Sequence, residues 1–187
     1  GSADPEGAIA GYVGEIPGVT RIGGDGVRAV YRLPKAAAET TLGSPLPLAA
    51  VWAVRAPQSA RLMHDGDPET GWTDVSPKAD GWVAIDLGTV REVGGLTLSL
   101  GRAFFDFPRR LAIETSLDGE TWPAAWDGTA FAQTFLGFVR SPRNAELRFS
   151  LDARQARYLR VRRLDTASPA WHVAEVQVHA PAAGAAR

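Results

Sequence analysis

Twenty glycines and 13 prolines, spread along all 187 residues, cut this chain into short segments. Few stretches between these breakers are long enough for three turns of helix, and several alternate apolar and polar residues with the period of a half-buried strand. Val83-Ala84-Ile85-Asp86-Leu87 is one such run, Leu96, Leu98 and Leu100 mark a second, and Leu111-Ala112-Ile113-Glu114-Thr115 is a third. The third leads into Leu117-Asp118-Gly119-Glu120, where Asp-Gly supplies the positive φ angles of a tight hairpin. Further strands are expected at Leu147 to Leu151, Tyr158 to Arg162 and Val173 to Val178. Short strands separated by regular turn signals predict an all-β chain folded as an antiparallel sandwich or jelly roll.

Composition removes several alternatives. A length of 187 residues suits one domain with one core, or one domain with an appended piece. The net charge of −1 gives no basic field for nucleic acid, so no nucleic-acid partner is expected, and contact with a membrane surface is not expected either. With no cysteine, the chain has no disulfide framework, thiolate zinc site or cysteine nucleophile. Its most apolar stretch, Leu46 to Val54, is interrupted by Pro47 and is far short of the roughly 20 residues that span a bilayer. Only two of its 20 basic residues are lysine, Lys35 and Lys78, a bias that reads as GC-rich coding.

Residues 1–45 differ in texture and read as an N-terminal extension. Gly1-Ser2 resembles a cloning scar, and a strand at Val27 to Leu33 precedes Pro34 and an alanine-rich piece. The extension is either an extra strand or hairpin on the sandwich or the end of an upstream domain. Arg21-Ile22-Gly23-Gly24-Asp25-Gly26 is glycine-rich, but a β-like segment follows it where a phosphate cradle would need a helix N-terminus, so a β-turn is expected. The sandwich itself is expected over residues 46–180. The alanine-rich residues 181–187 read as a disordered tail or linker. The segment 128–145, with Phe131, Phe135, Phe138 and Arg140, reads either as a packed crossover or as an exposed partner-binding spike.

The most specific local pattern is His64-Asp65-Gly66-Asp67-Pro68-Glu69-Thr70-Gly71-Trp72, a tight loop rich in oxygen donors. Such a loop can aim several oxygens at a hard cation, although Asp-Gly-Asp-Pro also suits a plain Asx-type turn. Together with Gly81-Trp82-Val83-Ala84-Ile85-Asp86-Leu87-Gly88, it resembles the N-terminal half of a discoidin domain. That family is also known as the coagulation factor 5/8 type C domain and overlaps the family 32 carbohydrate-binding modules. The resemblance continues through Phe107-Pro108-Arg109-Arg110, Ser116-Leu117-Asp118-Gly119-Glu120-Thr121-Trp122 and Ala156-Arg157-Tyr158-Leu159-Arg160-Val161 to Trp171-His172-Val173-Ala174-Glu175-Val176. These blocks fall in the family's order over about residues 48–180.

The resemblance implies an eight-stranded antiparallel jelly roll, of the galactose-binding-like fold, with its two ends close together and ligand loops at one rim. It also implies a structural Ca²⁺, common in bacterial members. Asp65 and Thr70 would give side-chain oxygens, Leu62, Asp67 and Ala174 carbonyls, and Glu175 would close the cage. Trp72, Trp82 and Trp122 coincide with framework positions and are expected in the core. The loops Thr73 to Asp80, Gly101 to Phe107 and Thr166 to His172 would form the rim. Arg102, Phe104, Phe105, Asp106, Trp171, His172 and His64 are the candidate ligand contacts, since aromatic faces match apolar sugar C–H surfaces and planar charged groups bind vicinal hydroxyls.

With three histidines, no cysteine and most acids in turns, no nucleophile–base pair or carboxylate pair assembles, so an enzyme is not expected. The leading expectation is a noncatalytic, glycan- or polysaccharide-binding module of a larger exported or membrane-anchored protein, working extracellularly, in the periplasm or at the cell surface. The alternative is a structural or protein-interaction appendage of a cell-envelope enzyme, in contact with other domains of the same polypeptide.

Overall fold

The computed structural model describes residues 13, 18–25, 29–32, 41–103, 106–166 and 170–183. The chain divides into two compact units, Gly1–Glu39 and Thr40–Arg187. In the first, β1 (Thr20–Gly24) and β2 (Ala29–Arg32) pair as an antiparallel hairpin, almost entirely exposed. Arg21 to Gly24, expected in a turn, therefore lie within a strand; Gly26 lies outside the described residues.

The second unit holds β3 (Pro45–Leu46), β4 (Ala50–Ala53), a 3-10 helix (Pro57–His64), β5 (Trp72–Asp74), β6 (Trp82–Ser99), β7 (Arg110–Ser116), β8 (Ala124–Thr129), α1 (Phe131–Arg140), β9 (Glu146–Arg163), β10 (Trp171–Val173) and β11 (Glu175–His179). Seven strands bond in the order β3-β11-β6-β9-β7-β8, with β4 beside β6, and β5 pairs separately with β10. All are antiparallel. The fold is an antiparallel jelly-roll β-sandwich.

Two strands shape it. The runs expected as separate strands at 83–87 and 96–100 belong to the single strand β6, and those at 147–151 and 158–162 belong to β9. The two pair from Trp82↔Arg162 to Ser99↔Glu146, with irregularities after Asp86 and after Val93. Together the two shift the register by a net one residue, which swaps the faces of β6. Accordingly Val83, Ile85, Leu87 and Val93 enter the core at odd positions, whereas Leu96, Leu98 and Leu100 do so at even ones. Each long strand thereby serves both layers. Its one half lies with β4, β7 and β8, and its other half with β3 and β11. Trp126 of β8 meets Phe149 of β9 across the core, ring centroids 4.8 Å apart. The expected strand 173–178 is interrupted at Ala174, which separates β10 from β11.

Of the framework tryptophans, Trp72 is fully buried. Trp82 and Trp122, also expected in the core, are only half-buried. They escape it because Trp82 has the opposite parity to Val83 and Ile85, and Trp122 lies past the hairpin, where Arg160 stacks on its ring at 4.2 Å. The 128–145 connection is a packed crossover: α1 buries Thr134 and Gly137, and a Cβ on Gly137 would lie 2.3 Å from the Glu146 carbonyl oxygen.

The two ends of the sandwich meet. Gly43 N–H donates to the Ala180 carbonyl at 3.1 Å, Ala180 N–H returns to Ser44 at 3.0 Å, and β3 pairs with β11. Buried His179 seals this join, with Nδ1 3.1 Å from the Gly43 carbonyl and Nε2 2.9 Å from Thr97 Oγ1. Burial lowers its pKa below the ordinary 6.5, helped by Arg148 and opposed by the Gly43 contact and Glu146. A depressed histidine pKa means that folding favours the neutral ring. Its contribution is present above pH 6.5 and is lost as the pH falls through 6.5 towards the folded value. Thermal melts are expected to show falling stability across that window, and His179→Gln should flatten the dependence.

Candidate functional site

Four segments converge at the end of the sandwich where β6 begins and ends. The acidic loop 65–70 follows the 3-10 helix, and Gly66, at φ +81°, makes the turn that few other residues tolerate. Asp65 is the organiser. Its carboxylate accepts from Asp67 N–H at 3.0 Å and from the Thr70 hydroxyl at 2.9 Å. These bonds, chiefly the backbone one, hold the Asp65 carboxyl below its ordinary range. Glu175, at the start of β11, accepts from Gly66 N–H at 2.8 Å and so ties the loop to a strand more than a hundred residues away.

Asp65 and Glu175 thus lie close enough to influence each other. Burial first, then the charge of Asp65, raises the Glu175 pKa above 4.5, against the Gly66 bond and nearby His64. Among the described residues, no ion pair joins either acid to a lysine or arginine, and no three His, Asp or Glu side chains converge as a metal-binding group. Asp67 is exposed and its carbonyl accepts from Thr70, Leu62 is half-buried in the 3-10 helix, and Ala174 is buried where β10 gives way to β11.

The rim loops meet beside this acidic loop. β10 pairs with β5, placing His172 opposite Thr73. His172 Nδ1 lies 2.8 Å from Thr73 Oγ1, and the His172 backbone N–H donates to the Asp106 carbonyl at 2.7 Å, so one residue joins three loops. Burial lowers the His172 pKa, opposed by Asp106. Arg102, its side chain 80% exposed, pairs with Glu69 of the acidic loop at 2.8 Å. Gly71 fits between the loops because a Cβ there would lie 2.7 Å from the Val173 carbonyl. His64 is exposed at the end of the 3-10 helix. Phe104 and Phe105 lie outside the described residues, and Phe107 is buried.

Trp171 corrects the sequence reading. Expected as a ligand platform, it is fully buried, set edge-on to Trp72 at 5.2 Å. Its strand pairing with Asp74 turns the ring inward to close the top of the core. Trp171→Ala is expected to lower unfolding stability by about 3–5 kcal/mol in chemical denaturation, the range for removing a large buried aromatic.

Sequence reasoning also missed the charged scaffold beneath the rim. Arg163 is fully buried, donating from Nε to the Asp165 carbonyl at 2.7 Å and from Nη1 to the Ser76 carbonyl at 2.8 Å. Asp74, equally buried, accepts from Ser76 N–H at 2.8 Å and from Arg55 at 3.2 Å, and Arg55 also pairs with Asp80. A signal was present: Arg163 shares the parity of inward Leu159 and Val161, and Asp74 that of Trp72.

Residues 47–176 match the F5/8 type C domain, and the chain belongs to that family. No curated protein sequence matches it. Among solved structures, it is similar to the family 32 carbohydrate-binding module of AlyQ, solved with 4,5-unsaturated mannuronic acid: 19% identity, TM-score 0.56, covering 72% of this chain and 97% of that one. A family 32 module of Clostridium perfringens, solved with GalNAc-β-1,3-galactose, shares 18% identity at TM-score 0.58, covering 73% of this chain and 100% of that one. A chitosan-binding module from the chitosanase/glucanase of Paenibacillus sp. IK-5, solved with chitotriose, shares 18% identity at TM-score 0.54 over 72% of this chain and 97% of its own. These likenesses establish the fold.

Proposed function

We propose that this domain is a noncatalytic carbohydrate-binding module whose rim, carrying Arg102, Asp106, His172 and His64, takes a glycan. The observation that carries the reading is the convergence of three loops on His172, which sets a guanidinium, a carboxylate and imidazoles along one edge of a rigid sandwich. Solved relatives of the same fold that bind mannuronic acid, GalNAc-galactose and chitotriose support it. The module would serve a larger exported or membrane-anchored protein; no described helix is long and apolar enough to cross a membrane. Glycan-array screening followed by calorimetric titration is expected to find a ligand of millimolar to micromolar affinity, and Arg102→Ala to weaken it at least tenfold. A flat array and flat titrations would favour the second reading, a protein-interaction appendage. That reading is supported by the burial of Trp171, which leaves no exposed aromatic among the described rim residues.

The acidic loop is proposed to hold a structural Ca²⁺. The donor set is all oxygen, as a hard cation requires, and two neighbouring carboxylates that, among the described residues, pair with no lysine or arginine are what a cation would neutralise. Asp65, Thr70 and Glu175 would bind through side chains, with Leu62, Asp67 and Ala174 through carbonyls. The ion would supply a crosslink between loop and strand and no chemistry. Calcium is expected to raise the melting temperature by a few degrees and chelator to reverse it, with no shift in a protein carrying Asp65→Asn and Glu175→Gln. Because the cation competes with the Glu175 proton, this stabilisation should fade as the pH falls through the raised Glu175 pKa.

A further inference from the structure

A groove of about 450 Å³ opens at the opposite end of the sandwich, lined by Leu117, Asp118, Thr121, Arg154 and Gln155 among others. Its position follows from β7, which leaves the rim at Arg110 and ends at Ser116 after seven residues, a rise of about 20 Å. The hairpin turn 117–121 closes one wall, and the bend of β9 between Leu151 and Ala156 forms the other.

Two charged groups in this groove are held still without being neutralised. The Asp118 carboxylate takes three hydrogen bonds, all on Oδ1: from Ser116 Oγ at 2.9 Å, Glu120 N–H at 2.8 Å and Thr121 N–H at 2.9 Å. These bonds, the Thr121 and Glu120 amides foremost, lower its pKa to about 2. Oδ2 accepts none of them. Arg154 is anchored in the same way, donating from Nε to the Asp152 carbonyl at 3.0 Å and from Nη1 to the Ala124 carbonyl at 3.3 Å, which leaves Nη2 out of both bonds. Among the described residues, no ion pair joins Asp118 to Arg154.

We propose that this groove is a second ligand site, for a neutral sugar ring, separate from the rim and independent of it. The charges select the class. A simple anion drawn by Arg154 would be repelled by the fixed Asp118 carboxylate in the same groove, and a simple cation drawn by Asp118 would be repelled by Arg154. A hydroxyl satisfies both, donating to one and accepting from the other, and adjacent hydroxyls suit planar groups of this kind. The Thr121 hydroxyl and Gln155 amide add groups that donate and accept. Leu117, 58% exposed, offers an apolar surface to the C–H face of a ring. The volume lies within the roughly 300–1,000 Å³ typical of small-molecule sites. Since both anchors spend other atoms on their own fixation, binding would require little reorganisation.

The test is an NMR titration of the folded chain with D-glucose, D-galactose and N-acetylglucosamine in turn, with glycine as a zwitterionic control. At least one sugar is expected to shift the amides of Gly119, Glu120, Thr121 and Gln155 saturably in the millimolar range. Asp118→Asn, which retains an oxygen for the turn but removes the charge and the second acceptor, should weaken the effect at least tenfold. Thr121→Val, which keeps the backbone N–H that anchors Asp118 and removes only the hydroxyl, should weaken it severalfold with the hairpin intact. The proposal is overturned if no sugar moves these amides, if glycine moves them equally, or if both variants respond like the parent. Shifts confined to Arg102, Asp106 and His172 would uphold the rim and eliminate the groove; shifts confined to the groove would do the reverse.

Discussion

The pairing of β6 with β9 is the constraint on which the rest of the molecule depends. Two strands of 18 residues each remain hydrogen-bonded while passing from one layer of the sandwich to the other. A regular ladder would keep one face of β6 inward throughout and would leave the apolar residues of one of its halves on the wrong side. The irregularities near Asp86–Arg91 and Val93–Gly95 change parity at the turn, so that Val83 and Ile85 in one layer and Leu96 and Leu98 in the other all enter one core. Because both ends of β6 return to the same rim, the loops that precede and follow it are neighbours. The acidic loop, the 73–80 loop and the 101–107 loop are held together for this reason.

The rim rests on two different kinds of support. An apolar floor is made by Trp72 and Trp171, packed edge to face. Beside it, Arg163 donates to the Asp165 and Ser76 carbonyls, Asp74 accepts from the Ser76 amide, and Arg55 pairs with the carboxylates of Asp74 and Asp80. A fully buried arginine is costly unless its donors are used, and Arg163 uses them on two separate loops. These bonds tie the 74–80 segment to the 163–165 segment that follows β9. The same device recurs at the opposite end, where Asp118 and Arg154 are each held by some of their atoms and left available through others.

Much of this was legible in one dimension. Alternation and breakers indicated an all-β chain, and a hairpin turns at Asp118-Gly119 as expected, although only Gly119 takes a positive φ and the connection runs from 117 to 123, longer than a tight turn. The ordered blocks from Asp65 to Val176 pointed to the family that the match over residues 47–176 establishes. The strand count was misread because the glycines at 88 and 94–95 look like turns, whereas they sit at bends inside a continuous ladder. Trp171 was misread because an aromatic before the last strand was taken for a loop residue. In the structure it is the first residue of β10, and its pairing with Asp74 decides which way the ring faces.

Local residue order by itself determined the strand periodicity, the hairpin and the chemistry of the acidic loop, because each depends on neighbours within a few positions. Only the tertiary structure decided that Glu175 caps Gly66, that Arg163 is interior, and that Trp171 is floor where a contact surface was expected. Those outcomes depend on which strands lie side by side, and that is set by the path of β6 and β9 through both layers, with partners as many as 109 residues apart meeting across the rim.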